Sequence, residues 1–300
     1  MKISTNQMFN NATNQMVTTQ SKIAEMQAQL STGTKLLKAS DEPQSAAIIL
    51  RLESTLAQHD TFQRNLTLVD ERLASEESIV QSVDAILMRV KELALTDSNR
   101  NLVGKEVEGL RGALLGLANA QDTEGRYIFA GSLSGQPPFQ ADAAGEVAYV
   151  GNFDRLQVDI AVGRSIDLNK PGTDVFGSVT TVDADGEPVT RGFFSVLDDL
   201  IAGWDSGASE AWEQGLATLD TIQNQARKAM VAIGIDRSTI EAEQDLHEES
   251  KIVLTAVLSK ERDVDYSELI TDLSAQMIAL ESVQGSFAKI AQMSLFDYLR

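Results

Sequence analysis

Near the start of the chain, Phe9, Met16, Ile23, Leu30 and Leu37 recur every seven positions, with Ala12 and Met26 in the complementary d-like places. Polar Asn, Gln, Thr and Ser fill nearly everything between them. At the other end Tyr266, Leu273, Leu280 and Phe287 repeat the spacing, with Ile270, Met277 and Ala291 between. An apolar residue every seven positions makes one narrow seam on a helix, and such a seam needs a partner helix. Neither end has enough apolar surface to fold alone. The two ends are therefore expected to be partners, with each other and with copies of themselves in an assembly. The expected assembly seam is Phe9, Met16, Ile23, Leu30, Tyr266, Leu273, Met277, Leu280 and Phe287.

The first helix is expected over about Asn6 to Thr32, with Gly33 at the C′ position, where positive φ closes the last turn. A connector, Thr34 to Ala39, leads to Ser40-Asp41-Glu42-Pro43, a helix start with capping side chains, early acids and a first-turn proline. From Pro43 to about Asp97 no Gly or Pro intervenes. Leu66, Leu73, Val80, Leu87 and Ala94 stand seven apart there, with Val69, Val83 and Val90 between. At 1.5 Å per residue this predicts a rod of roughly 80 Å. Glu76 interrupts the seam and is expected on a solvated rim. After a turn around Asp97 to Gly104, Val107, Leu110, Leu114 and Leu117 predict a helix over about Lys105 to Thr123. Its glycines, Gly109, Gly112 and Gly116, suggest close approach of a neighbouring helix.

From Gly125 the texture changes. Arg126 to Gly131, Val147 to Val150, Leu156 to Val162 and Phe176 to Val182 read as short strands among Gly, Asn and Asp turns. Four of the five prolines fall in this region. Helical periodicity resumes with Phe194, Leu197, Leu200 and Ile201, then with Leu216, Leu219, Ile222, Ala226 and Met230 after a Gly-rich break. Beyond Gly234 a further helix is expected from Ile240 to Lys260, before the terminal seam. The expected fold is mainly α with inserted β: a long coiled-coil-like helical bundle formed by the N- and C-terminal arms, with a small all-β domain in the middle. The parts are a terminal helical assembly domain (1–42 with 263–300), a long helical rod (43–124 with 193–262) and the β insert (125–192).

Composition narrows the function. A formal charge of −19 opposes binding to nucleic acid, which rests on neutralising phosphates, and gives no attraction to anionic membranes. With no cysteine there are no disulfides, thiolate metal sites or cysteine nucleophiles. The N-terminus lacks the apolar stretch of a cleaved secretory signal, and no run of about 18 apolar residues would span a bilayer. Chemistry-bearing residues are sparse. His59 and His247 each sit in a polar helical run and are expected on helix surfaces, without metal-ligand spacing. Asp183-Ala184-Asp185-Gly186-Glu187 has too few ligands for a calcium loop and reads as a turn. Glu76-Glu77 and Glu248-Glu249 read as solvated faces. Gln15, Gln20, Gln27 and Gln29 serve either contacts between subunits or solubility. No nucleophile, base and orienter assemble, so no catalytic, cofactor or metal site is expected.

Several segments resemble the flagellin superfamily of axial proteins: Ile3-Ser4-Thr5-Asn6, Leu30-Ser31-Thr32-Gly33-Thr34-Lys35 and Ser40-Asp41-Glu42-Pro43 at the front. At the back the matching residues are Asp263-Val264-Asp265-Tyr266-Ser267-Glu268 and Ser294-Leu295-Phe296-Asp297-Tyr298-Leu299, and Tyr127-Ile128-Phe129-Ala130-Gly131 is similar in the middle. Asp41, Glu42, Pro43, Leu295 and Phe296 place the resemblance nearer to the junction proteins that join hook to filament than to a short flagellin. The Asp-Glu-Pro departs from the commoner Asp-Asp-Pro, and Arg300 extends the tail. The resemblance implies a structural, non-enzymatic role at the extracellular hook–filament junction, and export by the flagellar type III apparatus without a cleaved signal. It implies hook-associated protein 1 and flagellin as partners, self-association in a ring or short helical zone, and an export chaperone on the C-terminal arm. The alternatives are a short flagellin forming the filament itself, or a cytoplasmic coiled-coil scaffold.

Overall fold

The computed structural model describes residues 2–95, 100–143, 145–182, 187–206 and 209–298. Its helices are α1 (Lys2–Thr32), α2 (Pro43–Leu95), α3 (Arg100–Ala118), α4 (Thr173–Phe176), α5 (Phe193–Ser206), α6 (Ser209–Arg262) and α7 (Tyr266–Tyr298). Six short strands form three separate antiparallel hairpins: β1 (Phe139–Ala141) with β2 (Val147–Tyr149), β3 (Gln157–Ala161) with β4 (Arg164–Asp167), and β5 (Val179–Val182) with β6 (Pro188–Arg191). The mainly helical fold with a β-rich middle is thus the one expected. The chain divides into two compact units, one of residues 59–248 and one of 1–58 with 249–300.

In the 59–248 unit the heptad of α2 is realised in full. Leu66, Val69, Leu73, Val80, Val83, Leu87 and Val90 are wholly buried. They face a matching stripe on antiparallel α6, formed by Leu219, Ile222, Ala226, Ala229, Ile233 and Ile240. Ion pairs hold the register along the flanks: Lys91–Asp220 at 2.5 Å, Arg227–Asp84 at 3.0 Å and Arg237–Asp70 at 3.0 Å. The seam of α3 (Val103, Val107, Leu114) is buried as well, and α3 is tied to α5 through Arg111 and Asp198 at 2.5 Å. The insert is anchored by aromatic rings, with Phe176 edge-on to Phe129 at 5.5 Å and to Phe193 at 5.2 Å. Edge-to-face pairs of this kind add to the stabilisation from burial itself.

Several local expectations do not hold. Gly234 lies inside continuous α6, where a Cβ would meet nothing within 4 Å, so tertiary packing of the flanking stripe overrides its weak propensity. Gly109, Gly112 and Gly116 are exposed and have no neighbour within 4 Å of a Cβ, so no close helix approach explains them. Helix α3 begins at Arg100, inside the expected turn; residues 96–99 lie outside those described. Arg126 to Gly131 forms turns and one isolated bridge rather than a strand. Its three successive residues Ile128, Phe129 and Ala130 are all buried, which an alternating strand with one wet face does not allow. Phe176 belongs to α4, and the short strands β1, β4 and β6 carry too little periodicity to be read from sequence. The Asp183–Gly186 part of the acidic turn lies outside the described residues.

Glu76 is the largest departure. It is fully buried, on the α2 seam between Leu73 and Val80. The Arg72 guanidinium is 3.6 Å away, and the Lys170 backbone N–H is the hydrogen-bond donor that faces the carboxylate. Arg72 itself turns to the Ile128 carbonyl (2.9 Å) and to Asp122 (3.5 Å), while buried Lys170 pairs with Asp236 of α6 at 2.7 Å. Burial pushes the Glu76 carboxyl from its usual 4.5 up to about 7, against the pull of Arg72 and Lys170 and with the help of Asp236. The cluster links α2, α6 and the insert. Neighbouring Glu77 is half-buried and pairs with Arg237, whereas Glu248 and Glu249 are exposed as expected.

Candidate functional site: the paired terminal helices

In the other unit α1 and α7 lie antiparallel. The ring of Phe9 meets that of Phe287 at 4.6 Å between centroids at one end, and Tyr266 reaches Gly33 at the other. On α1 the inward residues are Ala12, Met16, Thr19, Ile23, Met26 and Leu30, a strict alternation of three and four. On α7 they are Leu269, Leu273, Gln276, Leu280, Val283 and Phe287. The seven-residue repeat of Leu273, Leu280 and Phe287 thus meets that of Met16, Ile23 and Leu30. The intervening α7 places are taken by Leu269, Gln276 and Val283, where the sequence reading had Ile270 and Met277; the side chain of Ala291 lies outside those described. Gln276 is missed by a scan for sevens because it is polar, and Leu269 because its mate seven positions on is that glutamine.

This seam differs physically from that of α2. Of its residues only Leu269 is fully buried; the others are half-buried, and Phe9 keeps 43% of its surface. Two helices alone cover only the facing side of each other. As a result Tyr266, Ile270, Met277 and Ile278 on α7, and Val17 on α1, are each more than half exposed. Ile270 and Met277 are themselves seven apart, so they form a second stripe beside the paired one. A shallow groove of about 500 Å³ runs along it, lined by Ile23, Ser274, Met277, Ile278, Leu280 and Glu281. Leu295 and Phe296 fall in the last turns of α7, and their side chains lie outside those described.

The connectors that aim the two helices pair with each other. Lys35 N–H donates to the Arg262 carbonyl at 2.7 Å and Val264 N–H to the Gly33 carbonyl at 3.1 Å. The Lys35 ammonium donates to the Lys260 carbonyl (2.6 Å), and the Gln29 amide to the Lys35 carbonyl (2.7 Å), so Gln29 has a structural task. Gly33 closes α1 at φ 72°, the left-handed conformation expected of a C′ glycine, and a Cβ there would stand 2.8 Å from the Tyr266 hydroxyl oxygen. Asp265 caps α7 by accepting from Ser267 N–H (2.9 Å) and Glu268 N–H (3.2 Å). A hydrogen bond from Arg262 holds the Asp263 carboxyl below its ordinary value. Before α2, Asp41 accepts from Lys38 N–H (3.2 Å), closing the preceding turn, and Ser45 donates to Glu42 at 3.0 Å. Pro43 opens α2, where its missing N–H is not needed.

The arrangement is one of surfaces. Among the described residues no group of three or more His, Cys, Asp or Glu could hold a metal ion, and no described helix is long and apolar enough to cross a membrane.

Residues 3–134 match the bacterial flagellin N-terminal helical region. Over 99% of both chains the sequence is 25% identical to flagellar hook-associated protein 3 of Escherichia coli (strain K12). It is 24% identical, over all of both chains, to flagellar hook-associated protein 3 of Salmonella typhimurium. Flagellin of Bacillus subtilis is 22% identical over 97% of each chain. Among solved structures, FlgL of Xanthomonas campestris superposes with a TM-score of 0.61 at 19% identity, covering 69% of this chain and 99% of that one. The flagellar junction protein FlgL of Legionella pneumophila gives 0.59 at 15% identity, covering 72% and 99%. These two share the fold. The chain is thus similar along its whole length to flagellar hook-associated protein 3, and its residues 3–134 match the bacterial flagellin N-terminal helical region.

Proposed function

We propose that the chain is a structural component of the bacterial flagellum, an adaptor at the hook–filament junction that packs by bundling of its terminal helices. The observation that carries the packing mechanism is the incomplete burial of the α1–α7 pair. Every inward residue of the pair except Leu269 is no more than half-buried, and a second apolar stripe, Ile270, Met277 and Ile278, has no cover among the described residues. Exposed apolar stripes of this kind mark contact surfaces. Neighbouring copies in a ring or short helical zone supply that cover, with Phe9, Met16, Ile23, Leu30, Tyr266, Leu273, Met277, Leu280 and Phe287 as the assembly seam. The terminal domain of residues 1–42 with 263–300 then does the assembling.

In this reading hook-associated protein 1 lies on one side and flagellin on the other, and an export chaperone shields the C-terminal arm before assembly. The chain reaches the distal end of the hook through the flagellar type III apparatus, without a cleaved signal, and performs no catalysis. The test is a deletion strain viewed by electron microscopy, complemented with the intact gene. Hooks that lack filaments, restored on complementation, support the adaptor. Purified protein that polymerises by itself into long filaments supports a short flagellin instead, the reading favoured by the similarity to the Bacillus subtilis protein. Retention of the chain inside the cell, with none in sheared flagella, overturns both.

A further inference from the structure

The chain has two histidines, 188 positions apart in sequence, and the fold brings them together. Both were expected on solvated surfaces. Instead His247 on α6 is buried, and its Nδ1 lies 2.7 Å from the Nδ1 of half-buried His59 on α2. The Nε2 of His247 lies 2.6 Å from the Ile160 carbonyl oxygen. Ile160 sits at an irregularity in the β3–β4 ladder, where the pairing jumps from Asp159 to Ala161. A bulge of this kind leaves the extra residue outside the ladder, and its carbonyl free for another donor. Phe62 closes the site, its ring 5.5 Å from that of His247.

Hydrogen-bond roles follow from these distances. A carbonyl only accepts, so Nε2 of His247 carries the hydrogen, and neutral His247 presents a bare Nδ1. His59 must then donate from its own Nδ1. One added proton fits on the outer Nε2 of His59 and leaves the contact intact. A second has only the Nδ1 of His247 to occupy, which would set one N–H against another at 2.7 Å. The flanking charges do not relieve this. Asp60 on α2 favours a protonated His59, while Glu243, one turn before His247 on α6, is already paired with Arg164 of β4.

We infer that His59 and His247 form a proton-limited clasp, which joins α2, α6 and the β3–β4 hairpin while it holds no more than one extra proton and parts when it takes a second. The direction for His59 agrees: burial first, then His247, lowers its pKa from the ordinary 6.5. A base whose folded value is depressed contributes stability that is present above the unfolded value and is lost as pH falls through the folded one. Acid strong enough to drive a second proton onto the pair therefore loosens α2 from α6 here.

The test is nitrogen-15 NMR of the two imidazoles in the full chain. The expected result at pH 8 is His247 as the Nε2–H tautomer and His59 as the rarer Nδ1–H tautomer. On acidification the two imidazoles should take up protons in coupled and not independent steps. The lower step should coincide with loss of hydrogen-exchange protection at the β3–β4 hairpin. Two Nε2–H imidazoles titrating independently overturn the clasp. His59→Gln keeps a donor at this place and removes the second titration. The stability difference between wild type and this variant should change as pH falls from 7.5 to 5, and a difference independent of pH overturns the inference. Should the variant not fold, the tautomer measurement on the wild type decides alone.

Discussion

Replacing Glu76 by Gln should stabilise the 59–248 unit at alkaline pH and leave it little changed in acid. The carboxyl is wholly buried, and burial pushes its pKa up from 4.5 to about 7 against the pull of Arg72 and Lys170. For an acid with a raised folded value, the linked stability is fully present below the unfolded value and is lost as pH rises through the folded one. The window therefore runs from about 4.5 to 7. At 1.36 kcal/mol per tenfold change, a carboxyl raised from 4.5 to about 7 loses about 3 kcal/mol by pH 8, but under about 1 kcal/mol by pH 5. Gln fills the same space without the charge, and Arg72 keeps Asp122 and the Ile128 carbonyl. The variant's advantage over wild type should thus grow by about 2–3 kcal/mol between pH 5 and pH 8. In a domain of this size that is about 5–10 °C in melting temperature. Thermal melts of both proteins at a series of pH values measure it, and the histidine pair, present in both, cancels. Parallel melting curves across this range, or a variant less stable at pH 8, would refute the claim that an ionised Glu76 is a burden on the fold.

Leu280→Asp puts a carboxylate into the half-buried α1–α7 seam; it should abolish junction assembly and motility while circular dichroism shows the α2 and α6 helices intact. A variant that swims normally removes the seam from the mechanism. Gly33→Ala must adopt φ near 72° with its Cβ against the Tyr266 hydroxyl, so it should cost more than about 1 kcal/mol and expose the α1–α7 pair to proteolysis. Unchanged protection of the termini counts against the Gly33 hinge. Gly112→Ala lies on an exposed helix face with room for the methyl group; chemical denaturation should show a gain of about 0.5–1 kcal/mol. A loss of stability there would mean that the face is already in contact with another surface.

The helical arms were legible in the sequence because their signals are local. Seven-residue spacing, an uninterrupted run after Pro43 and Gly33 at a helix end depend on neighbours three to seven positions away, and the structure places α1, α2 and α7 where they point. The existence of the insert was equally legible from its prolines, glycines and short apolar runs. Its three separate hairpins were not, since strands of three to five residues carry almost no periodicity. The continuity of α6 through Gly234 was decided by packing, which outweighs the modest preference of one glycine.

The least local facts belonged to the tertiary structure alone. Glu76 looked like a rim residue because a carboxylate is normally solvated. Only the approach of Arg72, Lys170, Asp236 and the insert closes water out around it. His59 and His247 each sit in an ordinary polar helix, and nothing within ten residues of either hints at the other. Whether Met277 or Gln276 faces α1 likewise depends on the angle at which the two helices meet, a choice the heptad leaves open by one position. The sequence determined which helices carry a seam, through periodicity. The fold decided what each seam faces, because burial and pairing arise from residues that meet only after the chain has turned back on itself.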